Sequence, residues 1–250
     1  MSDMIKHYWR TTTASAIGMA LLFCVTGCRP PSFGNEVSTT QEMQIGQNAA
    51  AQVESQYQVV TDPAQVVGIQ EITSKLFPLA AKVRGNITYK IKVLQTDQVN
   101  AFSLPGGWIY VTSGMLAKLG NDRDALAFVV AHEVSHVALK HATKQLSDAY
   151  GKETLVDLLT QGKYQEAANI ALQLDLLSHS REDEYQADRF GVKLAREAGY
   201  NLSGTDRLFA LMQKTTPGQA PPEWVQTHPI NSARTKHVEQ DIKDLASGKY

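Results

Sequence analysis

A chain of 250 residues with 43% hydrophobic and 20% charged side chains can bury a sizeable core, which excludes the disordered and fibrous classes. Its formal net charge of -1 gives no electrostatic reason to expect nucleic acid or an anionic membrane surface as partner. The two cysteines, Cys24 and Cys28, both sit near the N-terminus, so the body of the fold holds neither a disulfide framework nor a cysteine-rich zinc site.

From the N-terminus, Lys6 and Arg10 make a basic start, and Ala14 to Thr26 is an uncharged stretch of signal-peptide length, short for a bilayer span. It ends in Val25-Thr26-Gly27-Cys28, which resembles the bacterial lipoprotein cleavage box. That resemblance implies removal of residues 1–27, loss of Cys24 and lipidation of Cys28; an ordinary signal peptide or short anchor is the alternative. Arg29, where an aspartate would hint at inner-membrane retention, favours the outer membrane. Residues 28–39, with Pro30, Pro31, Ser32 and Gly34, have the composition of a tether, and 40–250 is expected to form a single domain.

Thr39 followed by Glu42 carries a capping-box signature, with Met43, Ala50, Val53 and Tyr57 then recurring at helical spacing. Asp62-Pro63 opens a second helix with Val66, Ile69, Ile72, Leu76 and Leu79 on one stripe, which Pro78 should kink or end. After Gly85-Asn86 the period changes to two, with Ile87, Tyr89, Ile91 and Val93 alternating with polar residues, as in a half-exposed strand. A second strand, Trp108 to Thr112, follows Asn100-Ala101-Phe102-Ser103-Leu104-Pro105-Gly106-Gly107, where proline and paired glycines indicate an edge or bulge. Such an edge could accept a substrate backbone as one more strand, or be a plain hairpin.

The run from Asn121 to Leu146, capped by Asn121 or Asp122, is apolar on all sides and therefore a buried helix. Burying His132, Glu133 and His136 inside it costs several kcal/mol unless each finds a partner. A metal ion supplies one: residues four apart on a helix lie above one another, so both imidazoles can aim at one point beside Glu133. This is the H-E-x-x-H arrangement of zinc hydrolases, with Glu133 as general base. His141 falls about 140° round a continuous helix from His136 and is expected to be a surface or packing residue. A metzincin-type third histidine is excluded by Leu139 and Ala142, so a carboxylate from a later helix must complete the site.

Ser147 to Leu177 has the pattern of a helical hairpin turning near Gly162, able to pack as core or to lie over the cleft as a lid. In the helix from Ser178 to Tyr200, Glu184 and Asp188 share a face, while Glu182 and Asp183 are expected to be solvated charges. A Pro-rich loop from Thr215 to Glu223 leads to Trp224 and Thr227-His228-Pro229, then to a final helix from Asn231 to Ala246.

The pairing of His132-Glu133-Val134-Ser135-His136 with Glu184-Tyr185-Gln186-Ala187-Asp188 resembles the motifs of the gluzincin-type zinc metallopeptidase family that includes HtpX and the CAAX prenyl protease. The likeness extends to Asn100 through Gly107 and to His228-Pro229 with Arg234, and so covers residues 40–245. The chain lacks the transmembrane helices of those two members and is more similar to the periplasmic LoiP-like and BepA-like branches, without the C-terminal repeat domain of the latter.

The resemblance implies an α+β, mostly helical fold with a small antiparallel sheet over two zinc-bearing helices. It also implies one Zn2+ held by His132, His136 and Glu184, with Asp188 accepting from the distal ring N–H of His132. His228 and Arg234 would stand beside the metal as oxyanion donors, His228 alternatively filling the fourth zinc position in a latent state or merely capping the next helix. Asn100 and Ala101 would pair with substrate backbone. The implied activity is endopeptidic cleavage of unfolded or misassembled envelope proteins at the periplasmic face of the outer membrane, in contact with outer-membrane assembly machinery and not with nucleic acid. A chaperone-like assembly factor with a structural zinc site is the alternative.

Overall fold

The computed structural model describes residues 37–175, 179–214 and 220–249. The expected leader, Cys28 and the tether as far as Glu36 lie outside these residues, as does most of the Pro-rich loop after Thr215.

Helix α1, Thr39–Gln56, starts one residue earlier than expected because Ser38 is the cap. Its hydroxyl accepts from the Gln41 N–H at 3.3 Å while Gln41 Oε1 accepts from the Ser38 N–H at 3.0 Å. The register moves Glu42 out of the capping role and into the interior, and the buried stripe is Ile45, Ala49, Ala50 and Val53, with Met43 exposed. Helix α2, Pro63–Val83, opens on Asp62, whose carboxylate accepts from the Ala64 N–H. It continues past Pro78; the burial of Leu76 and Ala80 on either side outweighs the one lost helix hydrogen bond.

Three strands follow, β1 (Lys90–Leu94), β2 (Ala101–Leu104) and β3 (Trp108–Thr112), in the order β1-β3-β2. The expected antiparallel sheet is therefore mixed: β2 and β3 pair antiparallel, but β1 and β3 pair parallel. The loop after β1 reverses the chain, the Pro105–Gly107 turn reverses it again, and β3 returns along β1. The turn requires glycine at 106, where φ is 76° and a Cβ would stand 2.6 Å from the Met43 Cα of α1. β2 is an edge of the sheet, as its proline and glycines indicated.

After the short helix α3 (Ser113–Leu119), the expected helix over 121–146 is two helices, α4 (Arg123–Ala138) and α5 (His141–Tyr150). Between them Lys140 adopts a left-handed conformation, φ 60°. Asp122 caps α4 by accepting from the Ala125 N–H at 3.1 Å. Every residue of α4 from Ala125 to Ala138 is buried, and each fully buried Val, Leu or Phe in it contributes about 1.5–3 kcal/mol. The next helices, α6 (Lys152–Thr160) and α7 (Tyr164–Asp175), form the anticipated hairpin. Leu155, Leu159, Ala167 and Ala171 pack with Ile45 of α1 and Leu146 of α5, so the hairpin serves as core packing.

Helices α8 (Arg181–Glu197), α9 (Ser203–Met212), α10 (Glu223–Thr227) and α11 (Ser232–Ala246) complete the described chain. The main core joins α2, the sheet, α4, α8, α9 and α11 through residues such as Ile72, Val111, Phe128, Val192, Phe209 and Val238. Among the described residues no helix is long and apolar enough to cross a membrane.

Candidate metal centre

His132 and His136 project from the C-terminal half of α4, one turn apart, and Glu184 from the first turn of α8. Their ligand atoms meet: His132 Nε2 lies 3.0 Å from His136 Nε2, and Glu184 carboxylate oxygens lie 3.5 Å from the former and 3.3 Å from the latter. His228, just past α10, joins them. Its Nδ1 is 3.2 Å from His132 Nε2 and 2.9 Å from Glu184 Oε1. All four side chains are buried, with ligand atoms within 4.8 Å of one another. Ligands about 2.0–2.1 Å from one tetrahedral centre would be separated by about 3.3–3.4 Å, so the imidazole and carboxylate set fits zinc in both type and spacing.

The protonation states suit cation binding. Burial and the neighbouring His179 press the pKa of His136 well below its ordinary value, leaving a lone pair to donate. Burial alone would raise Glu184, yet His228 and Arg234 hold it well below the usual carboxylate range, so it is an anion. His228 is raised despite burial, because the carboxylates of Glu184 and Glu133 attract its proton; a cation would take that proton's place.

Around these groups lies a second set of contacts. Asp188 Oδ1 is 3.0 Å from His132 Nδ1. Burial opposes its ionisation, but Arg234 and His132 keep its pKa below the usual carboxylate range. Arg234 is 1% exposed and clasps both oxygens of Asp188, through Nε at 2.7 Å and Nη2 at 2.8 Å, while Nη1 reaches Glu184 at 2.5 Å. Its guanidinium thus braces two carboxylates. Glu133 Oε1 receives the Trp224 indole N–H at 3.3 Å and lies 3.4 Å from His228 Nε2. Glu133 Oε2, on the same buried carboxylate, has no hydrogen-bond partner. Asn100 and Ala101 stand at the head of β2, directly after Val99, whose carbonyl accepts the Trp224 backbone N–H at 3.1 Å; the Asn100 side chain accepts from the Ala101 N–H at 2.9 Å and Ala101 pairs with Val111.

Sequence reasoning missed three contributors. His141 is 1% exposed, and its Nδ1 lies 2.9 Å from His136 Nδ1. The expected helical angle placed it elsewhere because it assumed a continuous helix, whereas the left-handed Lys140 redirects the chain. Asp183 is 2% exposed rather than solvated: it accepts the Ser180 hydroxyl at 2.6 Å and lies 3.3 Å from Lys144 Nζ, while Glu182 remains exposed. His179, which no periodicity marked, packs its ring against His136 and stacks on His228, with centroid separations of 4.2 and 5.0 Å; burial pushes its pKa down to about 3.

A buried helix carrying two imidazoles and a carboxylate, closed by a carboxylate from a second helix, is the site of a metallopeptidase. The chain belongs to Peptidase family M48, whose model matches residues 63–242. It is 25% identical over 217 residues to the beta-barrel assembly-enhancing protease of Escherichia coli (strain K12), covering 81% of this chain and 44% of that protein. It is 26% identical over 197 residues to the mitochondrial metalloendopeptidase OMA1 of Bos taurus, covering 72% and 38%. To the mitochondrial metalloendopeptidase OMA1 of Arabidopsis thaliana it is 30% identical over 155 residues, covering 62% and 32%. The chain spans less than half the length of these curated relatives.

Proposed function

We propose that this chain is a zinc-dependent endopeptidase that hydrolyses peptide bonds of unfolded or misassembled cell-envelope proteins. The observation that carries the reading is the convergence of His132, His136 and Glu184 beside a buried Glu133 oxygen without a partner. His132 Nε2, His136 Nε2 and the Glu184 carboxylate would hold one Zn2+. When bound, zinc lowers the pKa of its water towards neutrality and polarises the scissile carbonyl. Glu133 Oε2 would take the proton of the attacking water and later deliver it to the leaving amine, while the Trp224 N–H fixes the other oxygen. Asp188 and Arg234 hold the His132 ring and the Glu184 carboxylate in their working orientations. Arg234, turned towards those carboxylates, is a positioning residue, which leaves His228 to stabilise the oxyanion developing on the substrate carbonyl. Substrate backbone would add to the β2 edge at Asn100 and Ala101.

The name of the Escherichia coli relative, a protease that enhances beta-barrel assembly, supports an envelope substrate and work alongside outer-membrane assembly machinery. We place the chain at the periplasmic face of the outer membrane, with residues 1–27 as a leader, Cys28 as a lipid anchor, 28–39 as a tether and 40–250 as the catalytic domain. A second reading rests on His228, whose Nδ1 sits among the ligand atoms. There it would serve as a fourth ligand, giving a latent site in a chaperone-like assembly factor. The deciding experiment compares zinc content and casein cleavage of the wild type and Glu133→Gln. Cleavage should fall about 100-fold or more with zinc retained; a zinc-loaded wild type silent on every unfolded substrate would overturn the endopeptidase reading and leave the latent one.

A further inference from the structure

His228 follows a segment that needs outside support to hold its place. Helix α10 has five residues, too few for a helix to be stable alone, and no side chain caps its N-terminus. Main-chain bonds pin it at each end: the Trp224 N–H donates to the Val99 carbonyl at 3.1 Å, and the Thr227 carbonyl accepts the His179 N–H at 3.1 Å. His179 is thereby fastened to the residue immediately before His228.

The His179 ring reaches His228 as well. The two imidazoles are 20° from parallel with centroids 5.0 Å apart, and the same ring packs on His136 at 4.2 Å. An imidazole turns readily about its last side-chain bond. Such a turn would be consequential at 228, where Nδ1 faces Glu184 at 2.9 Å and Nε2 lies 3.4 Å from Glu133. A flat ring laid on one face restricts it. His179 is in turn oriented from α5: Gln145 Nε2 lies 3.1 Å from its Nδ1, and an amide nitrogen only donates, so Nδ1 accepts and the ring cannot turn without losing that bond. At 8% exposed, His179 is wedged between Gln145, His136 and His228.

We propose, on the footing of the zinc endopeptidase reading, that His179 is the positioning residue for His228, its ring face fixing the pose in which His228 meets the metal ligands. Both roles open to His228, fourth ligand and oxyanion donor, need its ring in one orientation, and the path Gln145 to His179 to His228 supplies that restraint from α5. The competing account is that His179 only fills space, which any side chain of similar bulk would do.

The experiment uses the full chain, loaded with Zn2+ for casein cleavage and with Co2+ for visible absorption, which reports the metal's ligands without any turnover. The wild type is compared with His179→Leu, His179→Phe, His228→Ala and the double variant His179→Leu/His228→Ala. Leucine fills the buried space without a flat face, whereas phenylalanine restores the face without the Gln145 bond, and both leave the main-chain N–H of residue 179 in place. His179→Leu should change the rate at least about threefold, in the same direction as His228→Ala, and move the Co2+ spectrum towards that of His228→Ala. His179→Phe should lie nearer the wild type than His179→Leu in both readouts. The double variant should match His228→Ala within about twofold, because a residue that acts through His228 then has nothing to act on. Wild-type rate and spectrum in His179→Leu, a leucine effect that multiplies with that of His228→Ala, or phenylalanine behaving as leucine does would each overturn the proposal. A zinc-loaded wild type that cleaves nothing would instead overturn the endopeptidase reading; the latent reading keeps His228 on the metal, and the spectra then decide for or against His179 by the same comparisons.

Discussion

His136 is held at both ends. Its Nε2 faces the ligand cluster while its Nδ1 meets His141 Nδ1 at 2.9 Å. One of two facing nitrogens must donate and the other accept, so a metal at Nε2 would place the proton on His136 Nδ1 and leave His141 as acceptor. His141 can then donate from Nε2 towards Gln186 Oε1 at 3.4 Å. Replacing His141 by Phe keeps the ring and removes the acceptor. Zinc affinity, measured by competition with a chelator, should fall about 10–100-fold; unchanged affinity would mean that His141 only fills space. His228 offers a sharper division. If its Nδ1 is a fourth ligand in the resting state, His228→Ala should raise the basal rate on an unfolded substrate and change the zinc coordination seen by X-ray absorption. If it stabilises the oxyanion, the same substitution should lower the rate about 10²–10³-fold. A variant with both coordination and rate unaltered removes both roles.

Two helices must approach closely for these side chains to meet. At Gly191 of α8, an added Cβ would lie 3.3 Å from the backbone nitrogen of His132. That is tighter than an ordinary contact, so even a methyl group there would need the two backbones to give by a few tenths of an ångström, at the turn of α4 that carries the ligand His132. Valine at 191 would force the helices apart by more than a rotamer change can absorb. Gly191→Val should cost about 1–3 kcal/mol of stability and weaken zinc binding together, measured by thermal unfolding with and without metal. A variant that loses stability but binds zinc as tightly as the wild type would separate packing from ligand placement. Element boundaries also explain what the sequence concealed. The apolar run across 121–146 carried no mark of the break at Leu139-Lys140, because Lys140 adopts φ 60° without glycine or asparagine to announce it.

At the scale of the molecule, α4 is anchored from its C-terminal end by a buried ion pair between elements distant in sequence. Arg84, just beyond α2, pairs with Glu42 of α1 and donates from Nη1 to the Val137 carbonyl at 2.7 Å, while Glu42 Oε1 accepts the Gly106 N–H at 3.1 Å. The pair thus ties α1, the β2–β3 turn and the last turn of the zinc-site helix together. Arg84→Met strands the Glu42 carboxylate and takes from the Val137 carbonyl one of its two donors, the Lys140 N–H remaining at 3.1 Å, an expected loss of about 3–5 kcal/mol in denaturant unfolding. Adding Glu42→Gln should recover a large part of it, since the cost lies chiefly in the uncompensated charge. Equal losses in the single and double variants would show that the link is not electrostatic.

The sequence by itself determined the chemistry. Ligand spacing within one helix follows from 3.6 residues per turn, so His132, Glu133 and His136 were legible without a fold, as were the shared face of Glu184 and Asp188 and the edge nature of the stretch before Gly107. Family likeness supplied His228 and Arg234, which lie in the segment that closes the site. What only the tertiary structure decided were relations between elements: the parallel pairing of β1 with β3, the inward turn of Glu42 to Arg84, and the His141 and His179 rings against His136. Periodicity reports which way a residue faces along its own axis. Whether an inward residue meets a ligand, a carboxylate or a hydrocarbon depends on the neighbour that packs there, and that neighbour is set by the whole chain.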